Sequence, residues 1–137
     1  MSRSLVQATI QLENLTIIAI SVHGAWTAPP TDNEETIRQA NLIASHLKSL
    51  GDAPFILGGD LNMPPESKVV GIISQAASNL MLDSGIKQTT HPTVHKIAPR
   101  GYLIDYVFTS KHFKKISIEA PEVLVSDHLP VIATLEI

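Results

Sequence analysis

Ala53-Pro54-Phe55-Ile56-Leu57-Gly58-Gly59-Asp60-Leu61-Asn62 is the stretch on which the fold turns. Ala53 to Leu57 is apolar and too short for a helix, so it reads as a buried strand that Gly58-Gly59 breaks just before Asp60. Upstream, Ile37, Ala40, Ile43, Ala44, Leu47 and Leu50 recur at helical spacing, and Gly51 falls where a left-handed C-terminal cap belongs. Thr31-Asp32-Asn33-Glu34 has the spacing of a capping box that opens this helix, after a loop from Ala25 to Pro30. Further upstream, the β-rich runs Leu5 to Leu12 and Leu15 to Val22 flank Glu13-Asn14, a hairpin turn. The second run is apolar without alternation, which suggests a strand covered on both faces, and it ends at His23-Gly24.

Downstream, Pro64-Pro65 reads as the start of a second helix with Val69, Ile72, Ile73 and Ala76 on its apolar face. A loop-like stretch from Asp83 to Gly101 follows. Strands are expected at Leu103 to Thr109, Ile116 to Glu119, Val123 to Val125 and Val131 to Ile137. Strands alternating with two helices and ending in consecutive strands give an α+β layered domain, one domain over 1–137.

Composition bounds the function. With 137 residues and 44% apolar content the chain can form one real core, burying roughly two-thirds of its unfolded surface. A formal net charge of −3 and a pI near 6.0 weigh against broad electrostatic capture of nucleic acid. They do not exclude a phosphate substrate, because a divalent cation reverses the sign of a carboxylate-lined cleft. The absence of cysteine removes disulfides and thiolate zinc sites. No run approaches the ~18 apolar residues of a membrane span, and the start lacks a secretory apolar stretch, so a cytoplasmic protein is expected.

Several polar residues stand where an apolar frame makes them conspicuous. Asp60 and Asn62, two apart beyond a strand, would project to one face if extended backbone continues, and together could orient a water; equally, Gly-Gly-Asp-Leu-Asn is turn-forming. Asp105, inside Leu103 to Thr109, needs a partner unless the strand is an edge and the carboxylate faces water. Ser126-Asp127-His128-Leu129-Pro130 sets an acid beside an imidazole, in what is either a site or a turn. Oxygen of the Asp127 type is the donor that Mg²⁺ or Mn²⁺ prefers. His23 ends a strand and reads as structural or as a cleft residue. His46, His91, His95 and His112 read as surface or loop; Pro92 speaks against a helical metal pair of His91 and His95.

In this order the pieces resemble the endonuclease/exonuclease/phosphatase superfamily, the DNase I-like phosphoesterases. Ser21-Val22-His23 resembles its Asn-Thr-His element, and Gly58 to Asn62 its Gly-Asp-Phe-Asn element. Leu103 to Phe108 is similar to its Arg-Ile-Asp-Tyr-Ile-Phe strand, and Ser126 to Val131 to its Ser-Asp-His element. The resemblance implies a DNase I-like sandwich, here half of one, with a mostly antiparallel sheet carrying two helices. It implies Mg²⁺- or Mn²⁺-dependent hydrolysis of a phosphoester. Asp60 would orient and deprotonate water with help from Asn62, and His128, paired to Asp105, would stabilise the phosphoryl transition state. Asp127 would serve the metal, and His23 the phosphate or leaving group.

Two departures stand out. The match covers only the family's second half, and Glu13, Glu34, Glu35 and Glu66 sit in no element resembling its principal metal glutamate. Leu103 replaces the usual arginine, with Arg100 three residues earlier. Half a sandwich leaves a sheet face exposed, so a homodimer or a second chain is expected to cover it. The other reading is a non-catalytic phosphate-binding or assembly module. The charge slightly favours a small phosphoester over long nucleic acid, and Trp26, after His23-Gly24-Ala25, could stack on a base or sugar or pack on its own domain.

Overall fold

The computed structural model of the chain describes residues 3–96 and 101–137. Arg100, noted above, and part of the loop from Asp83 to Gly101 lie outside the described residues.

The chain opens with the hairpin of β1 (Leu5–Leu12) and β2 (Leu15–His23), whose register runs Leu5↔Val22 to Leu12↔Leu15. Its turn includes Glu13 at φ 23°. Helix α1 (Glu34–Ser49) follows. Its cap is Asn33, whose side chain accepts from the Thr36 amide while Thr36 Oγ1 accepts from the Asn33 amide, each at 2.9 Å. The box therefore sits two residues later than Thr31 to Glu34. A short Thr side chain returns the bond that Glu34 was expected to make. Gly51, at φ 61°, stands in the expected left-handed position.

Strand β3 (Phe55–Asp60) runs parallel to β2, so α1 is the crossover between them. The strand does not stop at Gly58-Gly59; both glycines pair within it, up to His23↔Asp60. At Gly59, φ is 154° and an added Cβ would lie 1.9 Å from the Val22 carbonyl oxygen. Only glycine lets the two backbones approach so closely.

The second helix, α2 (Lys68–Ser74), begins later than Pro64-Pro65. Ser67 is its cap, and the Asp32 carboxylate accepts from the Lys68 and Val69 amides at 2.9 and 3.3 Å. A two-residue strand β4 (Ser78–Asn79), β5 (Asp105–Thr109), β6 (Lys114–Glu119) and β7 (Ile132–Glu136) complete the elements.

The main sheet has the order β1-β2-β3-β5-β4, with three antiparallel pairings and the parallel β2–β3 pair; β6 and β7 form a separate two-stranded sheet. Val123 to Val125 is not a strand. Those side chains are 42 to 77% exposed, and an apolar triplet without a paired neighbour gains nothing from extension.

One sheet face packs on the helices. Ile20, Val22, Phe55, Leu57, Tyr106 and Phe108 meet Ala40, Ile43, Leu47, Val70 and Ile73 in one buried cluster. The helical residues recur at the i, i+3, i+4, i+7 spacing of an amphipathic face. The second face is covered in part: Ile17 and Thr109 are buried, whereas Val6, Ile10 and Leu12 along β1 are exposed. Among the described residues no helix is long and apolar enough to cross a membrane.

Candidate active site

The register brings three sequence-distant side chains into one row. His23, Asp60 and Asp105 are aligned partners across β2, β3 and β5, at one end of the sheet. Side chains alternate along a strand, and Asp60 is three residues from Leu57, Asp105 three from Phe108. The row therefore lies on the face opposite the helices.

Asp60 is held tightly. Its Oδ1 accepts from the Asn62 amide at 2.6 Å, and its carbonyl accepts from the Gly24 amide at 2.7 Å. Asn62 does not continue the strand: it adopts φ 54°, is 5% exposed, and its Nδ2 donates to the Gly24 carbonyl at 3.2 Å. The Asp60 carboxylate thus meets the Asn62 backbone amide in an Asx-type turn, and strand alternation does not set the direction of Asn62. His23 Nε2 lies 3.7 Å from Asp60 Oδ2, with the imidazole well exposed.

His128 reaches the row from the β6–β7 connection. Its Nδ1 is 2.9 Å from Asp105 Oδ2, both side chains being largely buried. Burial pulls the imidazole's proton affinity down, but the Asp105 hydrogen bond and the charges of Asp105, Asp60 and Asp127 outweigh it and hold the pKa above its ordinary value. For Asp60, burial comes first and the Asp105 charge second in raising the pKa; the Asn62 amide, His128 and His23 oppose them.

A buried Thr89-Thr90-His91 segment fixes this geometry. Thr89 Oγ1 accepts from the Ile104 and Asp105 amides, both at 3.0 Å, and the Thr89 carbonyl accepts from the Leu129 amide at 2.6 Å. The His91 amide donates to the Asp127 carbonyl at 2.8 Å, and Thr90 pairs with His128 as an isolated antiparallel bridge. One segment therefore clamps both Asp105 and the Asp127-His128 pair. His91, read as surface or loop, is only 5% exposed. Its ring Nδ1 accepts from the Thr93 amide at 3.3 Å, which gives a buried imidazole a partner.

His95, read as surface or loop, lies in the loop and meets His128 edge to face at 5.5 Å between ring centres. It lines a cavity of about 430 Å³ together with His23, Trp26, Asp60, Asn62 and His128. Arg3, Pro30, Tyr102 and Ile104 complete its wall. Arg3, Pro30 and Tyr102 carry no sequence signal as site residues, since loop residues have no periodicity to read, while His95 and Ile104 stand out only as half of a discounted His91–His95 pair and as a strand residue. Asp127 is exposed, its Oδ1 accepting from Ser126 Oγ at 3.2 Å.

Among the described residues, two groups of side chains could hold a cation: Asp60, Asp105 and His128, and His95, Asp127 and His128. Within each the ligand atoms lie within 4.8 Å of one another. Carboxylate oxygens suit a hard divalent cation, and the mutual repulsion of desolvated Asp60 and Asp105 is what such a cation relieves. The donor set fits. Neither group includes a glutamate.

The chain was compared with known proteins. No curated protein gives a significant match. Among solved structures, an endonuclease/exonuclease/phosphatase from Bacteroides vulgatus superposes with a TM-score of 0.81 at 23% identity, covering 98% of this chain and 55% of that one. The mannosyl-6-phosphatase Bt3783 of Bacteroides thetaiotaomicron gives 0.81 at 16% identity, covering 98% and 57%. The human Nocturnin catalytic domain with bound sulfate gives 0.73 at 16%, covering 99% and 53%. At such identities the likeness concerns the DNase I-like α+β fold, and the chain spans little more than half the length of each structure. A sequence profile matches residues 5–128, which takes in the first three elements and Ser126-Asp127-His128 of the fourth, and by that match the chain belongs to the Endonuclease/Exonuclease/phosphatase family.

Proposed function

We infer that this chain forms the C-terminal half of a metal-dependent phosphoesterase domain that hydrolyses a phosphodiester or phosphomonoester with an activated water. One observation carries the reading: a desolvated carboxylate, Asp60, stands beside an Asp105–His128 pair at one sheet end, on a shared cleft.

Asp60 acts as the base. Its Oδ1 is engaged by the Asn62 amide, which leaves Oδ2 to orient and deprotonate water. Asn62, whose side-chain Nδ2 donates to the Gly24 carbonyl, helps Asp60 orient the water and faces the cleft where the phosphoester would sit. His128 holds its proton toward the phosphoryl oxygens, because Asp105 fixes the ring through Nδ1 and favours the charged form. His23, exposed beside Asp60, contacts the phosphate or the leaving group. Asp127 is the donor we assign to Mg²⁺ or Mn²⁺, which when bound supplies Lewis-acid polarisation of the phosphoryl group.

A second copy, or a second chain carrying the other half, covers the exposed side of β1. The exposure of Val6, Ile10 and Leu12 on one strand face supports this. Sedimentation at micromolar concentration should show a dimer; a stable monomer favours the second chain.

Calorimetric titration with Mn²⁺, paired with hydrolysis of bis-p-nitrophenyl phosphate, tests the reading. Binding tighter than millimolar is expected, with turnover that falls at least ~100-fold in His128→Ala. No metal binding and no hydrolysis, alone or mixed with a candidate first half, would replace the enzyme with a non-catalytic phosphate-binding module.

A further inference from the structure

The cavity that holds Asp60, Asn62 and His128 is also lined by two aromatic side chains that the hydrolytic chemistry does not use, Trp26 and Tyr102. Trp26 is 49% exposed and Tyr102 38% exposed. Large aromatic surface left in water is unfavourable, and here both rings spend it on one cleft.

Hydrogen bonds hold the backbone on either side of Trp26 and at Tyr102 itself. On either side of Trp26, the Ala25 amide donates to Gln39 Oε1 of α1 at 2.9 Å, and the Thr31 amide donates to Thr27 Oγ1 at 2.9 Å. The preceding Gly24 is tied to Asp60 and Asn62, the residues of the proposed site. Tyr102 is clamped at both polar groups. Its amide donates to Thr90 Oγ1 at 2.6 Å, and its carbonyl accepts from the Thr89 and Thr90 amides at 2.7 and 3.0 Å. Exposed rings on fixed backbones leave only side-chain rotation to be ordered when a ligand ring stacks on them.

We propose that Trp26 and Tyr102 form an aromatic wall for the organic group of the substrate. The site then takes phosphoesters whose alcohol carries a planar ring, a nucleoside or an aryl alcohol, in preference to acyclic ones. The inference rests on the phosphoesterase reading for the placement of the phosphate. It deepens that reading by naming the substrate class. The net charge of −3 favours a ligand with one or a few phosphates slightly over a long polyanion.

Trp26 is the single tryptophan of the chain, so its fluorescence reports the wall directly and without turnover. The full chain in Mn²⁺ buffer is titrated with phenylphosphonate, a nucleoside 5′-monophosphate and methylphosphonate, which share a phosphoryl dianion and differ in the ring. Saturable quenching is expected from the two ring ligands, with affinity about tenfold above methylphosphonate, a factor in the range of one stacked ring. Whichever ring ligand binds tighter identifies a base or a compact aryl group as the source. Tyr102→Ala should erase most of the tenfold preference, and Tyr102→Phe should keep it. Equal affinities for phenyl- and methylphosphonate, or no saturable quenching by any of the three, would overturn the aromatic wall. Failure of the enzyme reading looks different: ring-selective quenching persists while bis-p-nitrophenyl phosphate is not hydrolysed.

Discussion

The two faces of the five-stranded sheet use the same strands differently. On the helix side Leu57 and Phe108 are fully buried and Tyr106 nearly so, its hydroxyl donating to the Met63 carbonyl at 2.8 Å. On the other side the same strands carry Asp60 and Asp105, and the neighbouring edge strand exposes Val6, Ile10 and Leu12. One face gathers the stability that lets the other hold two carboxylates in a desolvated row. A protein with a net stability of roughly 5–15 kcal/mol has little margin for such a row unless packing elsewhere offsets it.

Substitutions can break or sharpen this contrast. The largest effect is expected for Gly59→Ala, whose methyl would meet the Val22 carbonyl oxygen at the place where the two strands hold Asp60. Urea unfolding should show a loss of at least ~3 kcal/mol, since both the backbone angle and the space are wrong for alanine. Leu57→Ala on the helix side should cost about 2–5 kcal/mol. Ile10→Thr on the other face should stay within ~0.5 kcal/mol for the dissociated chain while weakening its association in sedimentation. Equal costs at Leu57 and Ile10 would abolish the distinction between the faces.

Thr89→Val comes next. It keeps the shape but leaves the Ile104 and Asp105 amides without their acceptor, a loss of about 1–3 kcal/mol. Because those amides place Asp105, activity should fall further than stability alone explains.

The smallest effect on stability has the opposite sign. Asp60→Asn keeps an oxygen for the Asn62 amide and removes a charge that burial and Asp105 disfavour, so it should raise the melting temperature. A raised folded pKa means that the carboxylate's cost is absent below its ordinary value of 3.8, grows as pH rises above 3.8, and levels off once pH passes the folded value. The advantage of the variant should therefore vanish at pH below 3.8 and be larger at pH 7 than at pH 3.8. A variant that is less stable at pH 7 would mean that Asp60 is held by attractions stronger than the repulsion described here.

Much of this was legible in the sequence, for identifiable reasons. The β1–β2 hairpin and α1 announce themselves because their apolar spacing has a period. Asp105 is visible because it interrupts an apolar run with a group that needs a partner, and Asp60 and His128 because each stands in a short polar break beside one. What escaped was set by contacts with no local signature. Strand β3 continues through Gly58 and Gly59 because its neighbours pair with it, whereas glycine by itself reads as a break. Asn62 leaves the strand through a left-handed turn that alternation cannot foresee. Thr89, His91 and His95 lie in aperiodic loop, and only the tertiary bridge to Asp127, His128 and Leu129 gives them their place.

The central claim is that the second face carries a working hydrolytic base. Bis-p-nitrophenyl phosphate turnover in Mn²⁺, measured for the wild type and Asp60→Asn beside their melting curves, tests it most directly. The account predicts that the variant loses at least ~100-fold in rate while melting at a higher temperature. A variant that hydrolyses at the wild-type rate would contradict it.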